Sequence, residues 1–199
     1  MVIERVLDSH QRRLANLATL AEVNRSLEKV SNRLYDIATK DHLTQISSRG
    51  YFLQSLKSAV REAQTEGRPM CLIQIDIDYF KCINDTHGHP AGDAAIRQMA
   101  DLCRQAIHGR DILGRLGGEE FAIGLIDCNV TSATNISEKL RESVAATPLA
   151  YEGKTIRFSC SIGIAPLTQD STPESLLGAS DRALYDAKNS GRNCVKVAG

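Results

Sequence analysis

Three stretches of this chain combine residue types and spacings that suit chemistry on phosphate esters. In Cys71-Leu-Ile-Gln-Ile-Asp-Ile-Asp78 an apolar run ends in two acids of equal parity. On a strand, Asp76 and Asp78 project from one face with Cα atoms roughly 6.5 Å apart. Two carboxylates held there are costly unless a cation answers them, and a hard divalent ion does so while keeping positions open for substrate phosphates. The plainer alternative is that one acid caps the following turn and the other is solvated. In Arg115-Leu-Gly-Gly-Glu-Glu-Phe121, two glycines let backbone approach a ligand and two carboxylates stand on or beside a hairpin turn. Alone this reads as a solvated turn; beside the first acidic cluster it points to a shared metal site. The third stretch, Phe80 to Asp93, reads as a polar loop that offers Lys81 to phosphate, the amide of Asn84 and further carboxylates. Its His87 and His89 fit either a zinc or iron pair or, preferably, hydrogen bonds that stabilise a turn.

Elements must exist to position these groups. Residues 1 to 40 contain no Gly or Pro, and Leu20, Val23, Leu27, Val30, Leu34 and Ile37 alternate steps of three and four. That seam predicts a coiled coil that dimerises, in preference to an amphipathic helix folded onto its own domain. Leu7, Leu14 and Leu17 fall out of its register, which predicts a stutter upstream. Beyond Lys40 the pattern predicts a helix over 50–64, the strand 71–78, and a helix over about 92–108. A hairpin of 111–115 with 119–126, a helix over 131–146 and a strand over 157–166 follow. A capping box Ser171-Thr-Pro-Glu174 then opens a helix to about Lys188, and a short strand over 194–197 closes the chain. Hairpins interrupt the alternation of helix and strand, so the fold class is α+β with a mainly antiparallel sheet rather than a doubly wound one.

Composition excludes several classes. The 199 residues suffice for one domain of roughly 100–150 residues plus an appendage, giving a boundary near residue 40: 1–40 as a dimerisation helix, 41–199 as the main domain. Lys+Arg and Asp+Glu number 24 each, which removes the electrostatic case for a general nucleic-acid binder or a polybasic membrane binder. The closest pair among six cysteines, Cys71 and Cys82, is 11 residues apart, so the thiols are expected to be free in a reducing cytoplasm. No apolar run approaches a membrane span, and the start lacks a signal peptide, so a cytoplasmic protein, or the cytoplasmic part of a longer one, is expected.

Taken together the motifs resemble one family, the GGDEF domains, the diguanylate cyclases of bacterial signalling. Eight pieces match in order: Asp41-His-Leu-Thr-Gln-Ile-Ser-Ser-Arg49, Asp76-Ile-Asp-Tyr-Phe-Lys81, Ile83-Asn-Asp85, Gly88-His-Pro-Ala-Gly-Asp93, the signature Gly117-Gly-Glu-Glu-Phe121, Ser161-Ile-Gly163, Asp181 to Lys188, and Gly191-Arg-Asn193. They span residues 41–199 nearly end to end. Ser48 stands where the family usually has Asn, Gly50 where a second Arg is common, and Glu119 where Asp is more usual; no catalytic acid is lost.

The resemblance implies a palm-like fold similar to class III nucleotidyl cyclases and polymerases, with a five-stranded, mainly antiparallel sheet flanked by helices. It implies that two domains meet face to face, each with one GTP, and condense them into cyclic di-GMP and two pyrophosphates. Asp76, the carbonyl of Ile77 and Glu119 are then the ligands of Mg²⁺, for which Mn²⁺ is a substitute. Glu119 also accepts the 3′-hydroxyl proton, with Glu120 in second place. Lys81 steadies transition-state charge, and Phe80 belongs to the GTP site. Lys188 and Arg192 take the outer phosphates, Asn84 and Asp93 read guanine, and Gly117 and Gly118 leave room for the nucleotide. The implied partners are GTP and a second copy of the chain, with no nucleic acid and no membrane contact within these residues.

The resemblance also implies a degenerate inhibitory site. Product inhibition in this family commonly uses Arg-x-x-Asp, separated from the first signature glycine by five residues; here that register holds His108-Gly-Arg110-Asp111. Two competing readings stand beside the cyclase: a non-catalytic GTP or cyclic di-GMP sensor on the same fold, and an Asp-x-Asp glycosyltransferase that uses a nucleotide sugar. Intact Asp76, Lys81, Asp93 and Glu119 disfavour the first; the second leaves Gly117-Gly118, Lys188 and Arg192 unexplained.

Overall fold

A computed structural model describes residues 22–31 and 33–199, which fall into two compact units divided between Thr39 and Lys40. In the first, α1 is helical over 22–31 and 33–39. Its seam is bare: Val23, Leu27, Val30, Leu34 and Ile37 are 49% to 71% exposed. Leu7, Leu14, Leu17 and Leu20 lie outside the described residues. Among the described residues, no helix is long and apolar enough to cross a membrane.

The second unit runs α2 (Arg49–Glu66), β1 (Met70–Ile77), α3 (Phe80–His87), α4 (His89–Ala106), β2 (Ile112–Gly117), β3 (Glu120–Ile126), α5 (Val130–Ala146), β4 (Leu149–Tyr151), β5 (Lys154–Ile156), β6 (Cys160–Pro166), α6 (Pro173–Asn189) and β7 (Val195–Val197). Five strands form a sheet in the order β2-β3-β1-β6-β7, while β4 and β5 make a separate hairpin. Every pairing in the main sheet is antiparallel except β6 with β7. This is the expected α+β, mainly antiparallel five-stranded architecture.

The alternation of β1 decides what the sheet can do. Cys71, Ile73, Ile75 and Ile77 join a core built with Ala95, Ile96 and Met99 of α4 and Leu140 and Val144 of α5. Met70 and Leu72 point the other way, into a core with Phe52 and Leu56 of α2 and Leu176 of α6. The same parity carries Gln74, whose side-chain amide donates to the Leu177 carbonyl and to Ser180 Oγ of α6, both at 2.9 Å. Asp76 is next on that face, so the strand's period of two aims it toward α6.

Gly163 of β6 sets how closely α6 approaches. A Cβ there would lie 2.2 Å from the Ser180 carbonyl and 2.2 Å from the Leu184 nitrogen. Only glycine lets the helix backbone rest on the strand, and one turn beyond Leu184 that contact delivers Lys188 to the sheet end.

Three expectations need correction, and one hairpin is added. The polar loop over 80–93 is instead α3 followed at once by α4; α3 buries only Ile83, too little apolar periodicity to announce a helix. The hairpin β4/β5 went unrecognised, because three-residue strands carry almost no alternation. Its presence also means that the strand predicted from 157 begins only at Cys160. The box that opens α6 sits one residue later than read: Thr172 is the N-cap and accepts from Ser175 N at 3.1 Å, while Ser175 Oγ accepts from Thr172 N at 2.8 Å.

Candidate active site

The carboxylate of Asp76 sits at the end of the central strand, 6% exposed. Across the ladder its partner is Glu120, and the Glu119 carbonyl accepts from Ile77 N at 3.4 Å, so the hairpin brings both signature acids to the end of β1. Glu119 is half-buried and Glu120 exposed. Burial pushes the Asp76 carboxyl up to about 6 against the pull of Lys188, and repulsion from Glu119, then Glu120, adds to the rise. Lys188 Nζ lies 2.8 Å from Asp76 Oδ2. Lys188 is the one ion-pair partner of Asp76 among the described residues.

The donor set fits a divalent cation on that observation. Two carboxylates and a backbone carbonyl offer hard oxygen, and the lysine occupies the position of the missing positive charge. Among the described residues, no three His, Cys, Asp or Glu side chains are grouped so as to hold a metal ion by themselves.

Asp78, its presumed companion, has a different task. Its carboxylate accepts from Ser159 Oγ at 2.7 Å, Ser161 Oγ at 2.6 Å and Asn193 N at 3.0 Å. Buried and fully partnered, it ties β1 to β6 and to the turn after α6 rather than facing a cation.

The remaining residues divide between the two sides of α3. Tyr79, with φ 54 and ψ 31, breaks the strand and starts the helix without a side-chain cap. First-turn N–H groups at Phe80 and Lys81 therefore stay available to an anion, with the exposed Lys81 beside them. Asn84 lies against α4: a Cβ on Gly92 would fall 2.0 Å from Asn84 Oδ1 and 3.1 Å from Phe80 Cζ. Asp93, the next residue of α4, is exposed. Gly117 and Gly118 face open space, where an added Cβ meets nothing within 4 Å. Arg192 follows the end of α6, its guanidinium 4.6 Å from the centre of the Tyr79 ring.

His87 and His89 do not make the turn-stabilising hydrogen bonds expected of them. They end α3 and begin α4 on either side of Gly88, and neither imidazole makes a hydrogen bond among the described residues; His87 Nδ1 is buried without a partner. On the opposite side of the domain, Asp111 accepts from His108 N at 3.0 Å and from Ile126 N at 2.9 Å. The His108 side chain lines a cavity of about 350 Å³ with Lys139, whereas Arg110 pairs with Glu62 and lines another of about 340 Å³.

Two site residues escaped the sequence reading. Arg115 precedes the signature glycines and donates to the Gly118 carbonyl from Nε at 2.9 Å and from Nη2 at 2.7 Å. Tyr79 occupied an unremarked position between Asp78 and Phe80. Only the spacing of Arg115 from the turn could have signalled the first; the partner of Tyr79 is more than a hundred residues away.

Residues 38–194 match the family described as diguanylate cyclase, GGDEF domain. Diguanylate cyclase A of Treponema denticola is 31% identical over 189 residues, covering 93% of this chain and 50% of that protein. The response regulator PleD of Caulobacter vibrioides is 34% identical over 200 residues, covering 98% and 44%. The coiled coil and GGDEF domain of DgcB from Caulobacter crescentus, solved in complex with c-di-GMP, has a TM-score of 0.87 at 32% identity, over 96% of this chain and 100% of that one. The active GGEEF domain of a Vibrio cholerae diguanylate cyclase has a TM-score of 0.72 at 32% identity, over 76% and 97%. The chain spans half the length, or slightly less, of these two curated relatives. On sequence, fold and the placement of its acids alike, this chain belongs to the GGDEF-domain family of diguanylate cyclases.

Proposed function

We propose that the chain is an active diguanylate cyclase that condenses two GTP into cyclic di-GMP with release of two pyrophosphates. The observation that carries this reading is the buried Asp76 beside Glu119, answered by a lone lysine at 2.8 Å. A domain that had given up catalysis has no need to keep that charge imbalance.

Asp76, the Ile77 carbonyl and Glu119 would hold Mg²⁺, which when bound would supply charge neutralisation at the phosphates and a lowered pKa of the 3′-hydroxyl. The protein's own groups do the rest. Glu119 takes the proton from the 3′-oxygen as that oxygen bonds to the α-phosphorus of the other GTP and pyrophosphate departs. Lys81 and the first turn of α3 stabilise charge on the phosphates, with Lys188 and Arg192 on the outer ones. Asn84 and Asp93 read the guanine edge, where an ionised carboxylate accepts from N1 and N2 hydrogens.

The bare seam of α1 supports a parallel dimer that presents two such half-sites to each other, and the likeness to the coiled coil and GGDEF domain of DgcB supports the same arrangement. Six free cysteines agree with a reducing, GTP-rich cytoplasm. The test is incubation with GTP and Mg²⁺ and detection of cyclic di-GMP by mass, with Glu119→Gln as control. Product from the wild type alone supports the reading; nucleotide binding without turnover in the wild type leaves a sensor instead.

A further inference from the structure

Three cations face the nucleotide side of the domain, and they are held in different ways. Lys188 is neutralised by Asp76, and Lys81 is exposed at the start of α3. Arg192 has no carboxylate partner among the described residues; its guanidinium covers the Tyr79 ring at 4.6 Å, and Nη1 reaches Tyr79 Oη at 3.5 Å.

The backbone beneath Arg192 is tightly fixed. Gly191, Arg192 and Asn193 all have positive φ, at 105°, 65° and 44°. The turn they form is pinned by Arg192 N to the Ala187 carbonyl at 3.1 Å, by Asn193 N to Asp78 Oδ2 at 3.0 Å, and by Arg141 Nη1 to Asn193 Oδ1 at 3.1 Å. Tyr79 is equally constrained, a left-handed residue between a buried strand and a helix. Two rigid turns therefore present a cation and an aromatic face to each other, while the ring itself stays 61% exposed.

We infer that Tyr79 is a positioning residue for Arg192, holding its guanidinium over the uncapped start of α3 so that helix N–H groups and arginine face the same phosphates. This rests on the reading of Arg192 as a contact to the outer phosphates. The choice of partner matters physically. A carboxylate would fix the guanidinium and cancel its charge, as Asp76 does for Lys188. An aromatic face fixes the plane, leaves the net charge and leaves the N–H edges available to phosphate oxygen. The contact therefore lowers the ordering cost of binding without competing with the ligand.

The test is steady-state kinetics and binding of a non-hydrolysable GTP analogue by the full chain carrying Tyr79→Ala, Tyr79→Phe, Arg192→Ala and the Tyr79→Ala/Arg192→Ala pair. Tyr79→Gly serves as a second ring-less variant, because glycine tolerates the left-handed backbone if alanine does not. Expected are a rise of about two- to five-fold in KM and in analogue Kd for the ring-less variants, with kcat little changed. Tyr79→Phe should restore wild-type values, since it keeps the face. In the Arg192→Ala background, loss of the ring should add nothing. An equal effect of Tyr79→Ala with and without Arg192, or no effect where Arg192→Ala alone weakens binding, overturns the positioning role. If Arg192→Ala leaves analogue binding and KM intact, it is the phosphate reading that fails.

Discussion

Arg115 grips Asp41 and the signature turn at once: Nη1 lies 3.0 and 3.2 Å from the two Asp41 carboxylate oxygens while Nε and Nη2 hold the Gly118 carbonyl. Asp41 in turn accepts from Thr44 N at 2.9 Å and Thr44 Oγ1 at 2.7 Å, and Arg104 donates to the Thr44 carbonyl. Arg115 N donates to the Ser47 carbonyl at 3.0 Å. The first residues of the second unit are thereby fastened to the loop that carries Glu119.

Removing either end should disorder the turn. Burial alone would raise the Asp41 carboxyl, but the Thr44 and Arg115 contacts outweigh it and hold it below the usual carboxylate range. Its contribution is thus present above the unfolded carboxylate pKa and lost as pH falls through the lowered folded value. Arg115→Ala should cost about 1–3 kcal/mol of stability, as loss of a largely buried, hydrogen-bonded charge pair does, and should lower kcat at least ten-fold. Denaturant unfolding and initial rates check it; a stable Arg115→Ala enzyme at full rate would mean that Gly118 needs no support.

The raised Asp76 carboxyl makes a prediction of opposite sign. The folded site keeps its proton up to about pH 6, whereas the unfolded carboxyl releases it near 3.8. Between those values the folded chain binds more protons, so its stability falls as pH rises, by up to about 3 kcal/mol. Without metal, Asp76→Asn should therefore melt above the wild type at pH 7.5, lose that advantage near pH 4, and have no cyclase activity. Addition of Mg²⁺ at pH 7.5 should stabilise the wild type and not the variant. Parallel melting curves of the two proteins across the pH range would refute the charge imbalance.

How much of this was legible without coordinates follows from the physics of each signal. The eight motif pieces, the buried central strand and the hairpin could be read because alternation and turn residues act over a few positions. The split roles of Asp76 and Asp78 could not, since equal parity puts both on one face and only Ser159, Ser161 and Asn193, far along the chain, distinguish them. Helix α3 was hidden by its polar composition. Lys188 was expected near phosphate; that it pairs with Asp76 required Gly163 and the register of α6 on β6.

Base selection should follow from Asp93. Guanine presents two donors to an ionised carboxylate, whereas adenine presents an amino donor and a lone pair, so a mismatched base leaves Asp93 facing an acceptor. Mixed-nucleotide competition should show GTP strongly preferred over ATP, with Asp93→Asn narrowing the gap. Equal use of both by the wild type removes Asp93 from base reading.

The bare seam from Val23 to Ile37 leads to a concentration effect. If α1 tethers two half-sites, it raises the effective concentration of the second domain far above that of free protein. Deleting residues 1–39 should leave a folded domain whose specific activity falls steeply on dilution, while the intact chain stays active. Indistinguishable dilution curves would rule out α1 as the dimerising element.

Feedback by product should be weak. Asp111 is engaged by two backbone amides, and His108, which stands in place of the usual arginine, lacks the forked donors of guanidinium. Arg110 is a substitute by position alone: its guanidinium pairs with Glu62 and lies 3.8 Å from Asp127, lining a cavity that His108 does not share. To serve the product it must abandon Glu62 and leave that carboxylate beside Arg68 alone. His108→Arg should therefore create inhibition by cyclic di-GMP, tightening binding at least ten-fold in calorimetric titration at neutral pH, while Arg110→Ala leaves the wild type's weak binding unchanged. Tight binding by the wild type that disappears with Arg110→Ala would show that the arginine does turn to the ligand, and the expectation of weak feedback would be wrong.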